Sequence, residues 1–260
     1  KEIPGIDWPR VRKLLASRWD GRTRGYRERG YVPAGEKDTG YCSRLKSGSA
    51  TMSFAYQDWC AGQVLGDERF LARSHSWTNL WKRDERNVAP RNAAGAWVRP
   101  EDCILDGNPY DGAYNESGAA QARWAVPHDV PTLVRLLGGT DAAVRELDGY
   151  EASVTRAKDG LVLHDDHSNE PAHHIPYLYN LLGAHDTCAK AVREIMADYY
   201  PSSRQWRRGH DDCGQMSAWY VFSALGFYPV NPADLTYRIG SPLVDEATLD
   251  VGDGKTFRIT

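Results

Sequence analysis

Apolar residues recur at three- and four-residue intervals along most of this chain, the spacing that lines one face of a helix. Asp7-Trp8-Pro9 reads as a cap followed by an early-helix proline. With Val11, Leu14, Leu15 and Trp19 following at helical spacing, it predicts a helix over about 7–19. Residues 20–48 hold Gly, Arg, Lys and Pro33 with little periodicity and read as a long loop, with Arg22, Arg24, Arg27 and Arg29 as a solvated face. Two further helices, joined at Gly66, are predicted by Met52, Ala55, Tyr56, Trp59, Cys60 and Gln63 and then by Phe70, Leu71, Ser74, Trp77, Leu80 and Trp81. From Val88 to Ser117 no period survives, as expected of a long functional loop.

Asp129 and Pro131 open a helix carrying Leu133, Leu136 and Leu137, closed by Gly138-Gly139, and Asp141 to about Tyr150 repeats the device. Pro171 opens another, with Ile175, Leu178, Tyr179 and Leu182 facing inward before Gly183. Residues 186–199 and Gly214–Leu225 supply two more, the last ended by Gly226. Leu235–Thr260 alternates in strand fashion through Tyr237, Ile239, Leu243, Val244, Leu249 and Val251. The expected fold is therefore mainly α: helical hairpins over 1–234 as one catalytic domain, then the start of a β-rich C-terminal segment at 235–260.

Composition changes this picture in a few places. With 41% hydrophobic and 26% charged residues the chain has material for a core, and a formal charge of -3 gives a nucleic-acid partner no electrostatic support. No run approaches the roughly 20 apolar residues that span a bilayer, so membrane insertion is not expected. Nine Trp and 14 Tyr against five Phe is a skewed set whose flat faces suit either core packing or sugar rings. The five cysteines are scattered, odd in number and without a C-x-x-C pair, which argues against a cysteine zinc site. The start has no initiator Met and no signal-like segment, and Lys255–Thr260 reads like a strand cut short. A mature fragment or partial chain is expected.

Three polar segments concentrate chemistry at helix ends: Tyr114–Gln121 leading into Trp124–Asp129, His164–His174, and Gly209–Ser217. Two carboxylates facing each other across a pocket, one protonated and one ionised, are what glycoside hydrolysis requires, and Glu116 and Asp212 are candidates for that pair. The competing use is helix capping, to which Asp129 and Asp211 are well placed, while Asn169 or Asp211 capping would leave Glu170 and Asp212 for other work. The His164, Asp165, Asp166, His167, Glu170, His173 and His174 cluster matches no zinc spacing, and its oxygens suit a hard cation such as calcium. His174 reads as structural, and His173 is open between structure and binding.

The strings Asn169-Glu170-Pro171-Ala172-His173-His174-Ile175-Pro176-Tyr177-Leu178-Tyr179 and Asp212-Cys213-Gly214-Gln215-Met216-Ser217-Ala218-Trp219-Tyr220-Val221 closely resemble the calcium-dependent exo-α-mannosidases of glycoside hydrolase family 92. The similarity runs on through Gly226-Phe227-Tyr228-Pro229-Val230 and Ile239-Gly240-Ser241-Pro242-Leu243, and more weakly through Val126-Pro127-His128-Asp129, Tyr56-Gln57-Asp58-Trp59 and Gly30-Tyr31-Val32-Pro33. It implies an (α/α)6 toroid, incomplete in this chain, that removes terminal α-mannose from glycans with inversion, calcium helping to distort the sugar. Inversion needs the two carboxyl groups about 6.5–9.5 Å apart, with room for a water.

Carried over by motif position, Glu116 is the general acid and Asp212 the general base. Asn169 and Glu170 lie at the calcium and sugar-binding floor, residue 169 bearing on the linkage accepted. The expected substrate-binding set is Asn169, Glu170, His173, Gln121, Asp211 and Trp97. The resemblance further implies a secreted or periplasmic protein, and an N-terminal β-sandwich and toroid front that pack against this chain.

Departures bear on activity. Where the family reads roughly E-G-N-A-W-Q-Y, this chain has Glu116-Ser117-Gly118-Ala119-Ala120-Gln121-Ala122, with alanines for an aromatic pair, and His210 stands where Asn or Asp is usual. Two other readings therefore accompany the first: a mannoside-binding relic without catalysis, and an inverting toroid hydrolase of another sugar.

Overall fold

The computed structural model describes residues 3–36, 46–103, 112–115, 117–156, 167–200 and 211–260. They form two compact units, Lys1–Leu136 and Leu137–Thr260. In the first, α1 (Trp8–Ser17) starts where its cap predicts: the Asp7 carboxylate accepts the Arg10 N–H at 3.0 Å, and Pro9 sits where no N–H is needed. Its apolar face is only partly embedded, with no residue buried and Leu14 56% exposed.

The stretch expected as loop contains a helix. Thr23 Oγ1 accepts the Tyr26 N–H, α2 (Arg24–Arg29) follows, and left-handed Gly30 ends it. Six residues are too few to display a period, which is why spacing misses it. Arg22, expected on a solvated face, is buried. Its guanidinium binds Asp58 at 2.9 Å, and Asp58 also receives Arg73 Nε at 2.7 Å and the Tyr26 hydroxyl at 3.1 Å. A wholly buried carboxylate is tolerable only when paired and hydrogen-bonded, and here two guanidinium groups and a phenol meet that need. Arg73 also lies 4.0 Å over the Trp19 ring and Arg22 4.7 Å over Phe54, so each charge doubles as packing.

α3 (Ser47–Leu65) and α4 (Glu68–Arg73) turn at Gly66, as predicted. They close tightly because Gly62 has no Cβ, an atom that would sit 2.5 Å from Leu71 Cδ2. A 3-10 segment, Ser74–Leu80, continues into β1 (Trp81–Lys82), which pairs antiparallel with β2 (Asn87–Val88). After the irregular stretch that follows, α5 (Ala119–Ala122) and α6 (Val130–Leu137) end the unit.

The second unit begins with α7 (Thr140–Arg156). The helix expected from Pro171 is instead two 3-10 turns, Glu170–Ala172 and Ile175–Tyr177, before the short α8 (Leu178–Leu181). Pro176, five residues after Pro171, lacks the N–H that the interior of a helix opened at Pro171 would require, so the chain takes the tighter turns. α9 (His185–Tyr199) and α10 (Gln215–Leu225) fall where the spacing puts them.

Trp219, Tyr177, Ile175 and Leu178 build the core, Tyr177 stacking on Tyr228 at 4.8 Å and donating to Ser223 Oγ at 2.8 Å. β3 (Phe227–Tyr228) pairs antiparallel with β4 (Arg238–Ile239), and β5 (Ala247–Asp250) with β6 (Thr256–Ile259). The predicted β character of 235–260 thus holds, with one partner recruited from just after α10. Among the described residues no helix is long and apolar enough to cross a membrane. Cys60, Cys103, Cys188 and Cys213 are free thiols, and Cys42 lies outside the described residues.

Removing Asp58 leaves two buried guanidinium groups uncompensated. Asp58→Ala is expected to destabilise the first unit by about 3–5 kcal/mol in urea unfolding, the usual cost of breaking a buried ion pair from one side. A loss under about 1 kcal/mol contradicts the assignment of this cluster as the unit's electrostatic anchor.

Candidate functional site

Of the three polar segments, the structure joins the second and third within the second unit. Asn169 opens the 3-10 turn Glu170–Ala172 by accepting the Glu170 N–H on its side-chain oxygen at 3.2 Å. Asn169 is nearly buried and Glu170 half-buried. His173 is 1% exposed, and its hydrogen bonds fix its tautomer. Nε2–H donates to the His167 carbonyl at 3.2 Å, which leaves Nδ1 to accept from Gln215 Nε2 at 3.4 Å. Burial pulls this imidazole down to about 4, so the ring is neutral. Trp219 Nε1 donates to the His173 carbonyl at 2.9 Å, a second link between the 169–174 loop and α10.

Behind this pair stands His167. The Tyr200 hydroxyl donates to the Met216 carbonyl at 3.0 Å and therefore accepts from His167 Nε2–H at 2.9 Å. His167 Nδ1 is then a buried acceptor without a hydrogen-bond partner, and burial together with the nearby His173 holds its pKa well below the usual value. Trp219 stacks on Tyr200 at 5.8 Å and meets the His167 ring edge-on at 4.1 Å. Two neutral imidazoles and an indole thus form a buried backing for the loop that carries Asn169 and Glu170. The sequence names His173 and Trp219 within a motif, but neither Tyr200 nor the tautomer chain is visible in residue spacing.

The third segment divides its two acids. Asp211 accepts the Ser217 N–H and hydroxyl, each at 3.0 Å, and its carbonyl accepts Gly214 N–H at 2.8 Å and Gln215 N–H at 2.6 Å. That fixes the start of α10 and commits the Asp211 carboxylate to the helix. Asp212 and Cys213 lie in the left-handed region at φ 34° and 58°, with Gly214 at 97°. Non-glycine residues there cost about 1–3 kcal/mol each and persist only where the surroundings hold them, a pattern concentrated at functional sites. The clamp by Asp211 does the holding, and the Asp212 side chain is exposed.

In the first unit, Glu116 lies outside the described residues, as do His164, Asp165, Asp166 and His210. The residues before Glu116 are pinned by the start of α3. Gly48 and Ser49 N–H groups donate to the Ala113 carbonyl at 2.9 and 3.1 Å, Ser49 Oγ accepts the Asn115 N–H at 2.7 Å, and the Tyr114 hydroxyl donates to the Val88 carbonyl at 2.7 Å. A Cβ at Gly48 would come within 2.4 Å of the Tyr114 ring, so only glycine admits this approach. Gln121 is buried in α5 at 1% exposure. Asp129 Oδ2 takes Trp77 Nε1 at 2.8 Å and His75 Nδ1 at 2.7 Å, partners that the capping reading of this residue does not anticipate. Trp97, by contrast, is 41% exposed.

For a hard cation, Asn169 and Glu170 supply oxygen donors of the right kind, and calcium takes 6–8 of them. Among the described residues no group of three or more His, Cys, Asp or Glu side chains converges as a metal site, so these two fit by chemistry and do not complete a shell.

Tyr200→Phe deletes the hydroxyl shared by His167 and Met216. It is expected to cost about 1–3 kcal/mol, the penalty for stranding buried polar partners. Chemical denaturation measures it, and a loss under about 0.5 kcal/mol contradicts the tautomer chain.

Comparison with known proteins gives the family. The family model described as the glycosyl hydrolase family 92 catalytic domain matches residues 10–260. An uncharacterized secreted glycosidase of Arthroderma benhamiae is 30% identical over 254 residues, an alignment covering 85% of this chain and 30% of that protein. Among solved structures, the family GH92 α-mannosidase BT3965 of Bacteroides thetaiotaomicron, in complex with mannoimidazole, superposes with a TM-score of 0.82 at 31% identity over 98% of this chain and 36% of its own. The family GH92 inverting mannosidase BT2199 of the same species gives 0.78 at 27% identity, over 97% and 37%. The chain thus spans about a third of the length of the relatives it matches. The mainly α fold expected from the sequence is the fold shared with these structures, and the chain belongs to glycosyl hydrolase family 92.

Proposed function

We propose that this chain is part of the catalytic domain of an inverting exo-α-mannosidase, with Glu116 as general acid and Asp212 as general base. Family membership makes the protein a glycoside hydrolase, and the observation that carries the finer reading is the division of labour at 211–212. Asp211 is spent on capping α10, while Asp212 is held exposed on a strained left-handed turn next to the helix that binds the Asn169–His173 loop. A base must be reachable by water, and an exposed carboxylate relieved of structural duty meets that condition.

On this reading Asp212 takes a proton from the attacking water while Glu116 gives one to the departing glycosidic oxygen, and the anomeric carbon inverts in one displacement. Asn169 and Glu170 contact the sugar, with His173 holding their loop from behind. Gln121, from α5, and Asp211 belong to the wall rather than to the chemistry. Calcium, when bound, supplies positive charge to sugar hydroxyls, with Asn169 and Glu170 among its ligands and further oxygens from elsewhere in the protein or from water. The structural likeness to α-mannosidases and the secreted relative support mannose-containing glycans as substrate and a secreted or periplasmic location. The expected β-sandwich and toroid front are proposed as neighbours within the complete protein.

In the complete protein, Glu116→Gln and Asp212→Asn are each expected to lower kcat on an aryl α-mannoside by about 10²–10⁴-fold with the fold intact by circular dichroism, the usual worth of a general acid or base. Dialysis against a chelator is expected to abolish turnover, and added calcium to restore it. Full turnover in either variant overturns its assigned role. Sugar binding without hydrolysis in the wild type selects a binding relic instead, and preference for another aryl glycoside selects a different sugar.

A further inference from the structure

We propose that Gln215 is a positioning residue for the reaction: its side-chain amide sets the spacing between the turn that carries Asp212 and the loop that carries Asn169 and Glu170. The proposal deepens the reading above and rests on it for the roles of those three residues. Gln215 is the first residue of α10, three positions after Asp212, and its backbone N–H donates to the Asp211 carbonyl at 2.6 Å. Its backbone is therefore tied to the turn of the base, while its side chain reaches the other loop.

A primary amide has two hydrogens to donate, and here both are engaged. Nε2 donates at 3.4 Å to His173 Nδ1, which can only accept because the His173 Nε2–H is given to the His167 carbonyl. The same side chain hydrogen-bonds the hydroxyl of Tyr228 in β3, a bond that lowers the pKa of a phenol that burial pushes up to about 12. A bond with that effect is donated to the phenol oxygen, because it favours the charged form. Tyr228 in turn stacks on Tyr177 at 4.8 Å, and Tyr177 lies in the same proline-broken segment as His173. The contacts thus close a ring, from His173 through Gln215 to Tyr228 and by way of Tyr177 back to the loop. His173, Tyr177 and Tyr228 are buried, so the ring belongs to the interior of the second unit.

The ring has a kinetic consequence. An inverting displacement needs the water on the base and the anomeric carbon above the sugar-binding loop in register, and a misplacement of about 1 Å can cost about 10²-fold in rate. With the amide removed, the loop still presents Asn169 and Glu170 to the sugar, so binding survives while the base and its water fall out of line. Such a change lowers kcat and leaves KM nearly unaltered. Gln215 acts through His173 and touches no reacting atom.

Kinetics of the complete protein on an aryl α-mannoside test this. Gln215→Met, which keeps the length of the side chain and removes the donor, is expected to lower kcat about tenfold with KM within about threefold. Combined with His173→Phe it lowers kcat no further than His173→Phe alone, the signature of two residues that act as one unit. Tyr228→Phe removes the second anchor of the amide and keeps the first, for a loss in kcat of about threefold. Full kcat in a folded Gln215→Met, with or without a raised KM or lowered stability, overturns the proposal, as do losses that multiply in the double variant. Should Gln215→Met fail to fold, Tyr228→Phe carries the test, and full kcat there overturns the proposal. Should the wild type release no mannose, the mannosidase reading fails on its own. Amide hydrogen exchange then judges the positioning, supported by faster exchange over 169–174 in Gln215→Met against an unchanged α9, and overturned by unchanged exchange in that loop.

Discussion

The contact on which the second unit's candidate site depends is the pair of hydrogen bonds that His173 makes with α10, from Gln215 to its ring and from Trp219 to its carbonyl. They hold a loop broken by two prolines against a helix that the two acids immediately precede. Because the imidazole is buried and neutral, the link costs no charge desolvation, and its geometry is set by tautomer rather than by attraction between ions. His167, Tyr200 and Met216 extend the same logic one layer deeper, each donor finding one acceptor.

On this backing the two aspartates at 211 and 212 do different work, although they are neighbours of the same type. Asp211 satisfies orphan donors at the start of α10, as caps do. Asp212 is left outward by a backbone conformation that non-glycine residues rarely adopt. Strain in the turn is thereby offset by the cap beside it. In the first unit the corresponding device is the start of α3, whose N–H groups and Ser49 side chain hold residues 113–115 up to the edge of Glu116, with Gly48 making room for Tyr114. Both halves of the candidate chemistry are thus approached by short segments anchored to helix starts.

Much of the fold was legible in the sequence because its signals are local. Caps and prolines at Asp7 and Pro9, the glycine at Gly66, and the apolar spacing of α9 and α10 announce elements within a few residues of where they form. What spacing hides is short or non-local. α2 is shorter than two helical turns, and the paired prolines convert an apparent helix into 3-10 turns. Arg22 looks like surface charge until Asp58, 36 positions away, folds against it. Two of the polar segments that the motifs single out do pack together, through His173, Gln215 and Trp219. The separate duties of Asp211 and Asp212, and the tautomers behind His173, are properties of backbone angle and contact that no string of letters displays.

The central claim is that Asp212 activates water for a single displacement at an α-mannoside. Proton NMR of the anomers formed in the first moments of turnover tests it most directly. The account predicts that β-mannose accumulates before mutarotation. Initial release of α-mannose signals a double displacement and contradicts it.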